Sequence, residues 1–306
     1  MDEMTRLRKL QHPEGIIDVV LDTDTFNEID DQYALSYLVR STEKVRLKAI
    51  YAAPFSNEKA RTPEEGMEKS HAEILKLLAL LKSEDLKGVV YKGARSYLKD
   101  EKTPVMSPAA EDLVRRALSY PEDRPLYVVG IAAITDIASA ILLSPEIIDH
   151  IVVVWLGGNA FSWPDNTEFN MFQDIAAARV VFSSGVPLVM LPCKGVVTSF
   201  TTTGPELEYH LRGKNRLCDY LVDITEREAV IQTKLKTWSR PIWDVTAAGW
   251  LMDGGFMEDC LVPAPVPEYD DRWGTGCRRH LARYVYHIWR DKLMDDLFRK
   301  LSGVPD

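Results

Sequence analysis

Short apolar runs recur along the first two thirds of this chain, separated by stretches whose apolar residues fall at helical spacing. The runs are residues 16–22, 45–51, 89–91, 126–130, 151–156 and 187–191. Residues 30–40, 64–82, 107–119, 135–143 and 174–183 carry the helical pattern, and Ser107-Pro108 supplies a start signal for the third. Residues 54–63 read as a polar loop between two of these stretches. Strand–helix alternation of this kind predicts βαβ crossovers and an α/β fold around a mainly parallel sheet. The C-terminal third is predicted to be mainly helical, over 215–232, 241–251 and 291–301. Residues 253–279, rich in Pro, Gly and Trp, carry no predicted element. No repeat, low-complexity tract or biased linker divides the chain, so residues 1–306 read as a single domain.

Composition narrows the function classes. With 46% hydrophobic and 27% charged residues, the 306-residue chain has material for a sizeable core. A formal net charge of −9 disfavours nucleic acid and anionic membranes as partners. Cys193, Cys218, Cys260 and Cys277 form no C-x-x-C pair, which argues against zinc and for reduced thiols. The first fifteen residues lack the apolar stretch of a signal peptide, and no run approaches the ~20 apolar residues of a membrane span. The predicted location is the cytoplasm.

The first apolar run ends in a knot of charge. Asp22, Asp24, Asp30 and Asp31 lie within V-V-L-D-T-D-T-F-N-E-I-D-D-Q. In open α/β sheets, ligands bind at the carboxyl ends of the strands. Packed carboxylates repel one another unless a proton or cation intervenes. A helix start at Asp30-Asp31 accounts for two of the acids through the helix dipole. It leaves Asp22 and Asp24 unexplained, and with no histidine nearby in sequence, an oxygen-only Ca²⁺ or Mg²⁺ site is the functional reading.

Two further segments carry polar chemistry. Leu156-Gly157-Gly158-Asn159 follows the most apolar run and leads to Thr167-Glu168-Phe169-Asn170 and Asp174. Glu168 and Asn170 suit sugar hydroxyls, although solvated loop residues have the same composition. Asp174 reads as a helix N-cap. In Pro241-Ile242-Trp243-Asp244-Val245-Thr246-Ala247-Ala248, an aspartate sits among apolar residues and needs a partner if buried. Cap and ligand both remain open for Asp244, and core packing and ring stacking for Trp243.

Taken in order, D-T-D…D-D, G-G-N…E-F-N and W-D-V-T-A resemble the inosine-uridine preferring nucleoside hydrolase family over about residues 16–252. The resemblance implies a nucleoside hydrolase fold and a calcium-dependent N-ribohydrolase that splits ribonucleosides into ribose and base. It implies Ca²⁺ held by Asp24, Asp31, Asp244 and the backbone carbonyl of Thr135, with Asp24 taking the proton of a metal-held water. A free aspartate, with pKa ~3.9, would be ionised for that role at neutral pH. Asp30, Glu168 and Asn170 match ribose-binding positions, Asn57 matches another more loosely, and Asp22 matches a supporting acid. A homodimer or homotetramer is the implied assembly.

The chain departs from the family pattern twice. Thr25-Phe26-Asn27-Glu28-Ile29 separates Asp24 from Asp30, where the common form has a proline-glycine turn and two fewer residues, so Phe26 or Asn27 is expected in the pocket wall. Trp243 stands where many members have a histidine that protonates the leaving base. The purine-specific inosine-adenosine-guanosine group has tryptophan there, which implies base stacking and a lean toward purines. His71, His210, His280 and His287 have no evident place in that chemistry. Two rival readings remain: a phosphatase opening with D-x-D, and a nucleoside- or sugar-binding protein that retains the metal site without turnover.

Overall fold

In the computed structural model, the run that ends at Asp22 forms β1 (Ile17–Thr23), in which Val19, Val20 and Leu21 have no exposed surface. The structure describes residues 1–276 and 278–303; Cys277, counted above among the thiols, lies outside them. Helix α1 (Glu3–Lys9) precedes β1, and α2 (Asp30–Arg40), β2 (Val45–Ala52), α3 (Pro63–Leu80) and β3 (Val90–Lys92) follow. Next come α4 (Pro108–Ala117), β4 (Leu126–Gly130), α5 (Thr135–Leu143), β5 (Ile151–Leu156), α6 (Phe169–Gln173), α7 (Ile175–Ser184) and β6 (Leu188–Leu191).

Local signals set several of these boundaries. Thr62 caps α3 by accepting from the Glu65 amide, with Pro63 at the first helical position. Ser107 and Pro108 do the same for α4. Helix α7 stops at Gly185, whose φ of +83° suits a residue without a Cβ.

The sheet runs β3-β2-β1-β4-β5-β6 in parallel and places β1 in its interior. Successive strand residues serve opposite faces. Val19 and Leu21 join the core beneath α2, α10 (Val245–Met252) and α11 (Arg290–Ser302), while Val20 joins the core beneath α4, α5 and α7. Both faces are therefore covered, which is why the strands read as continuous apolar runs.

The C-terminal third contains its three predicted helices and adds strands that the sequence reading did not expect. After β7 (Thr201–Thr203), α8 (Gly204–His210), α9 (Arg216–Thr233) and β8 (Ser239–Pro241), the chain passes α10 and returns to the sheet. Strand β9 (Met257–Pro263) is followed by the short pair β10 (Val266–Pro267) and β11 (Trp273–Gly274), then by β12 (Leu281–Ile288). Strand β12 pairs in parallel with β6, and β9 closes the edge antiparallel to β12. Arg283 and His287 break the apolar run of β12, and Glu258 and Asp259 break that of β9, so neither announces itself in sequence. No described helix is long and apolar enough to cross a membrane.

Candidate active site

The four acidic side chains line one cavity because three elements meet there. Asp24 follows the last residue of β1, Asp30 and Asp31 open α2, and Asp244 precedes α10. One carboxylate oxygen from each of Asp30, Asp31 and Asp244 lies within 4.8 Å of the others. All four acids are buried, Asp24 to 1% exposure. Two short bonds fix the cluster: Thr23 Oγ1 donates to Asp31 Oδ1 at 2.5 Å, and the Asp244 amide donates to Asp30 Oδ2 at 3.1 Å. Neither Asp30 nor Asp31 caps α2 through its side chain, and Asp244 makes no capping bond to α10, so helix capping does not explain these residues.

Burial, then mutual repulsion, pushes every one of these carboxyls up. Asp31 rises to about 8, through desolvation and the charge of Asp30. Asp30 rises to about 7, through desolvation and Glu28. Asp24 and Asp244 rise well above the usual carboxylate range, through desolvation and then the neighbouring acids. Burial and the neighbouring acids thus oppose the ionisation of Asp24 that the expected base role requires. Asp24 Oδ2 is buried without a hydrogen-bond partner among the described residues. Oxygen-only donors, mutual repulsion and an orphaned carboxylate oxygen together fit a hard divalent cation, whose charge reverses the cost of ionising them.

The acids form the floor of a cavity of about 280 Å³. Asn27, Glu28, Glu168, Asn170 and Trp243 line its walls. Glu168 is held as the N-cap of α6: its oxygens accept from the amides of Asn170 (3.0 Å), Gly158 (2.8 Å) and Met171 (3.0 Å). Burial nevertheless lifts it to about 7. Asn170 Nδ2 donates to the Leu156 carbonyl at 3.0 Å, leaving its oxygen for other partners. Gly158, at φ +73°, brings the backbone close to Glu168 and Trp273, where a Cβ would lie 2.6 Å from Trp273 Cζ2. The indole of Trp243 donates to Thr198 Oγ1 at 3.1 Å, and the Arg240 guanidinium lies over its ring at 4.8 Å.

The longer loop after Asp24 is latched to its surroundings. Asn57 Nδ2 donates to Asn27 Oδ1 at 2.8 Å. Lys59 Nζ donates to the Asn27 carbonyl at 2.8 Å and pairs with Glu228 on α9. Arg240 pairs with Glu28 and, on its other side, donates to Gln232 at 2.7 Å. Asn27 thus enters the pocket wall, whereas Phe26 is 38% exposed and does not line the cavity.

Three predicted site residues stand back from the cavity. Thr135 opens α5, does not line the cavity, and donates its hydroxyl to Asp174 Oδ2 at 2.7 Å; Ile131, just past β4, lines it instead. Asn57 braces Asn27 rather than facing the cavity. Asp22 is buried, with neither oxygen hydrogen-bonded among the described residues, and faces the charge of Asp136 on α5. Asp174 is the cap it was read as, accepting from the Ala177 amide at 2.9 Å. Ile131 and Lys194 are cavity residues the sequence reading missed. Cys193 also lines the cavity, with its thiol pushed up by burial and then by Glu168, as an inert packing thiol would be.

Comparison with known proteins agrees with this geometry. The sequence pattern of the inosine-uridine preferring nucleoside hydrolase family matches residues 19–284. The pyrimidine-specific ribonucleoside hydrolase RihB of Escherichia coli O1:K1 / APEC is 30% identical over 153 residues, 47% of this chain and 48% of that one. The chain spans about half the length of the curated relatives it matches. A purine-preferring ribonucleoside hydrolase from Gardnerella vaginalis superposes with a TM-score of 0.76 at 21% identity, covering 94% of this chain and 98% of that one. A plant nucleoside hydrolase superposes with a TM-score of 0.77 at 18% identity, over 94% and 99% of the two chains. With its central parallel sheet and its acids at the strand ends, the chain belongs to the inosine-uridine preferring nucleoside hydrolase family.

Proposed function

We propose that the protein is a calcium-dependent N-ribohydrolase that cleaves a ribonucleoside into ribose and free base. The observation that carries this reading is the buried oxygen-only acid cluster, with an unpartnered Asp24 oxygen, beneath a cavity walled by Trp243. Family membership leaves the D-x-D phosphatase reading without support.

Asp24, Asp31 and Asp244 would hold the cation. We assign the backbone-carbonyl ligand to Ile131 rather than Thr135; that Ile131 lines the cavity and Thr135 does not supports this assignment. A bound divalent cation would cancel the repulsion among the acids and lower the pKa of a water in the site. Asp24 takes a proton from the attacking water through its free oxygen. Asp30 keeps one oxygen on the Asp244 amide and turns the other to a ribose hydroxyl, and the Asn170 side-chain oxygen receives another. Glu168 serves from its capped position as a fixed acceptor. Cleavage builds positive charge on the ribose, and these carboxylates stabilise it.

Trp243, backed by Arg240, offers an aromatic wall to a planar base and supports a purine-leaning preference. The relatives' names divide on this point, with RihB pyrimidine-specific and the Gardnerella enzyme purine-preferring. A homo-oligomer is part of the proposal; exposed Val230, Ile231 and Leu235 around the end of α9 support it, and light scattering tests it.

The test of function is reducing-sugar release from purine and pyrimidine ribonucleosides, with Ca²⁺ and with a chelator. Chelator-sensitive release is expected. Tight nucleoside binding without release, by folded and calcium-loaded protein, would convert the reading to a binding protein.

A further inference from the structure

Cleaving an N-glycosidic bond sends an electron pair into the departing base, which leaves poorly unless that charge is met by a proton. No histidine or tyrosine lines the cavity among the described residues. Glu168 is fixed by three backbone amides and assigned to the sugar above, and Glu28 is paired with Arg240. Among the described residues, one basic residue lines the cavity: Lys194. Its ammonium has no ion pair or hydrogen bond among the described residues, unlike Lys59, which pairs with Glu228 at the loop nearby.

The backbone of Lys194 is pinned. Its amide donates to Asn159 Oδ1 at 3.2 Å, and its carbonyl accepts from the Ala160 amide at 2.9 Å. The same loop holds the aromatic wall, since Thr198 accepts from the Trp243 indole and donates to the Cys193 carbonyl at 3.0 Å. One loop therefore carries the Lys194 side chain and, through Thr198, holds the indole of Trp243, while the acids sit at the ends of β1, α2 and α10.

We propose that Lys194 is the acid that protonates the departing base, an assignment that rests on the hydrolase reading above. As the bond between C1′ and the base nitrogen breaks, its electron pair goes to the base. The Lys194 ammonium gives a proton to the base and becomes a neutral amine. Water adds to C1′ and gives its proton to Asp24. Proton exchange with solvent then returns both side chains to their starting forms, and the products are ribose and the neutral base.

The experiment compares calcium-loaded wild type, Lys194→Met and Lys194→Arg on inosine, on uridine, and on p-nitrophenyl β-D-ribofuranoside, whose phenolate leaves without a proton. Lys194→Met is expected to lose about 10²-fold or more on both nucleosides and less than about threefold on the aryl riboside, the size and selectivity of a lost general acid. Lys194→Arg should not restore the nucleoside rates, because a guanidinium keeps its proton. Equal losses on all three substrates, no loss on any, or rescue by arginine would overturn the assignment and leave the hydrolase reading standing. A wild type that cleaves none of the three would bring down both.

Discussion

The amide of Asp244 is bonded to the carboxylate of Asp30 across 214 positions of chain. This contact joins the start of α10 to the start of α2, two of the three elements that bring the acids together. It puts a backbone donor, rather than a mobile side chain, on the carboxylate assigned to ribose, so Asp30 is oriented before any ligand arrives.

Removing the proposed base should stop the chemistry and spare the fold. Asp24→Asn keeps the shape of a buried side chain and relieves repulsion. Ribose release should fall by about 10²–10⁴-fold, while thermal unfolding without Ca²⁺ occurs at an equal or higher temperature. Near-normal turnover would remove Asp24 from the base role.

Calcium should stabilise the protein measurably. Ligands that bind only the folded state add about 2.7 kcal/mol at a hundredfold excess over Kd. A Ca²⁺ titration followed by calorimetry should raise Tm in wild type, and Asp31→Asn should abolish most of the rise. A Tm indifferent to Ca²⁺ and to chelator would exclude a calcium site.

Trp243→Ala should weaken purine nucleosides more than pyrimidine ones, because the larger base loses the larger stacked area. The expected loss on purines is about 1–3 kcal/mol, or roughly 5-fold to 150-fold in kcat/KM. Arg240→Gln should reproduce part of that loss, since the guanidinium backs the ring and holds Glu28. Equal losses on both base classes would argue against stacking.

Away from the site, Asp259 makes stability depend on acid. Burial alone would raise its pKa, but hydrogen bonds from His12, Trp250 and Arg283 bring it down to about 2. A carboxyl depressed in the folded state contributes stability above its unfolded pKa of ~3.9 and loses it as pH falls through the folded value. Asp259→Asn should cost about 1–2 kcal/mol at neutral pH, and the gap from wild type should close as pH drops from about 4 toward 2. Denaturant unfolding at several pH values measures this, and a gap constant with pH would rule out the linkage.

The parallel core was legible because strands buried on both faces are written as apolar runs, and Asp24, Asp30, Asp31, Asp244, Glu168, Asn170 and Trp243 do meet at one cavity. Strands β9 and β12 were not, because polar residues interrupt them and their partners are chosen by the tertiary fold. Ile131 was missed for a different reason: whatever it offers through its backbone is independent of its side chain. Lys194 was missed because one loop lysine looks like any other until the loop is folded. The added length after Asp24 was visible, but its latching to Asn57, Lys59 and Arg240 depends on elements far along the chain.

Those latches give the pocket two separate foundations. The acids are anchored in strand and helix ends, where a shift would disturb the core. The wall formed by Asn27 and Glu28 hangs on side-chain fasteners from Asn57, Lys59 and Arg240. Exchanging Asn57 or Lys59 should therefore reshape that wall while the strand and helix ends that carry the acids stay in place.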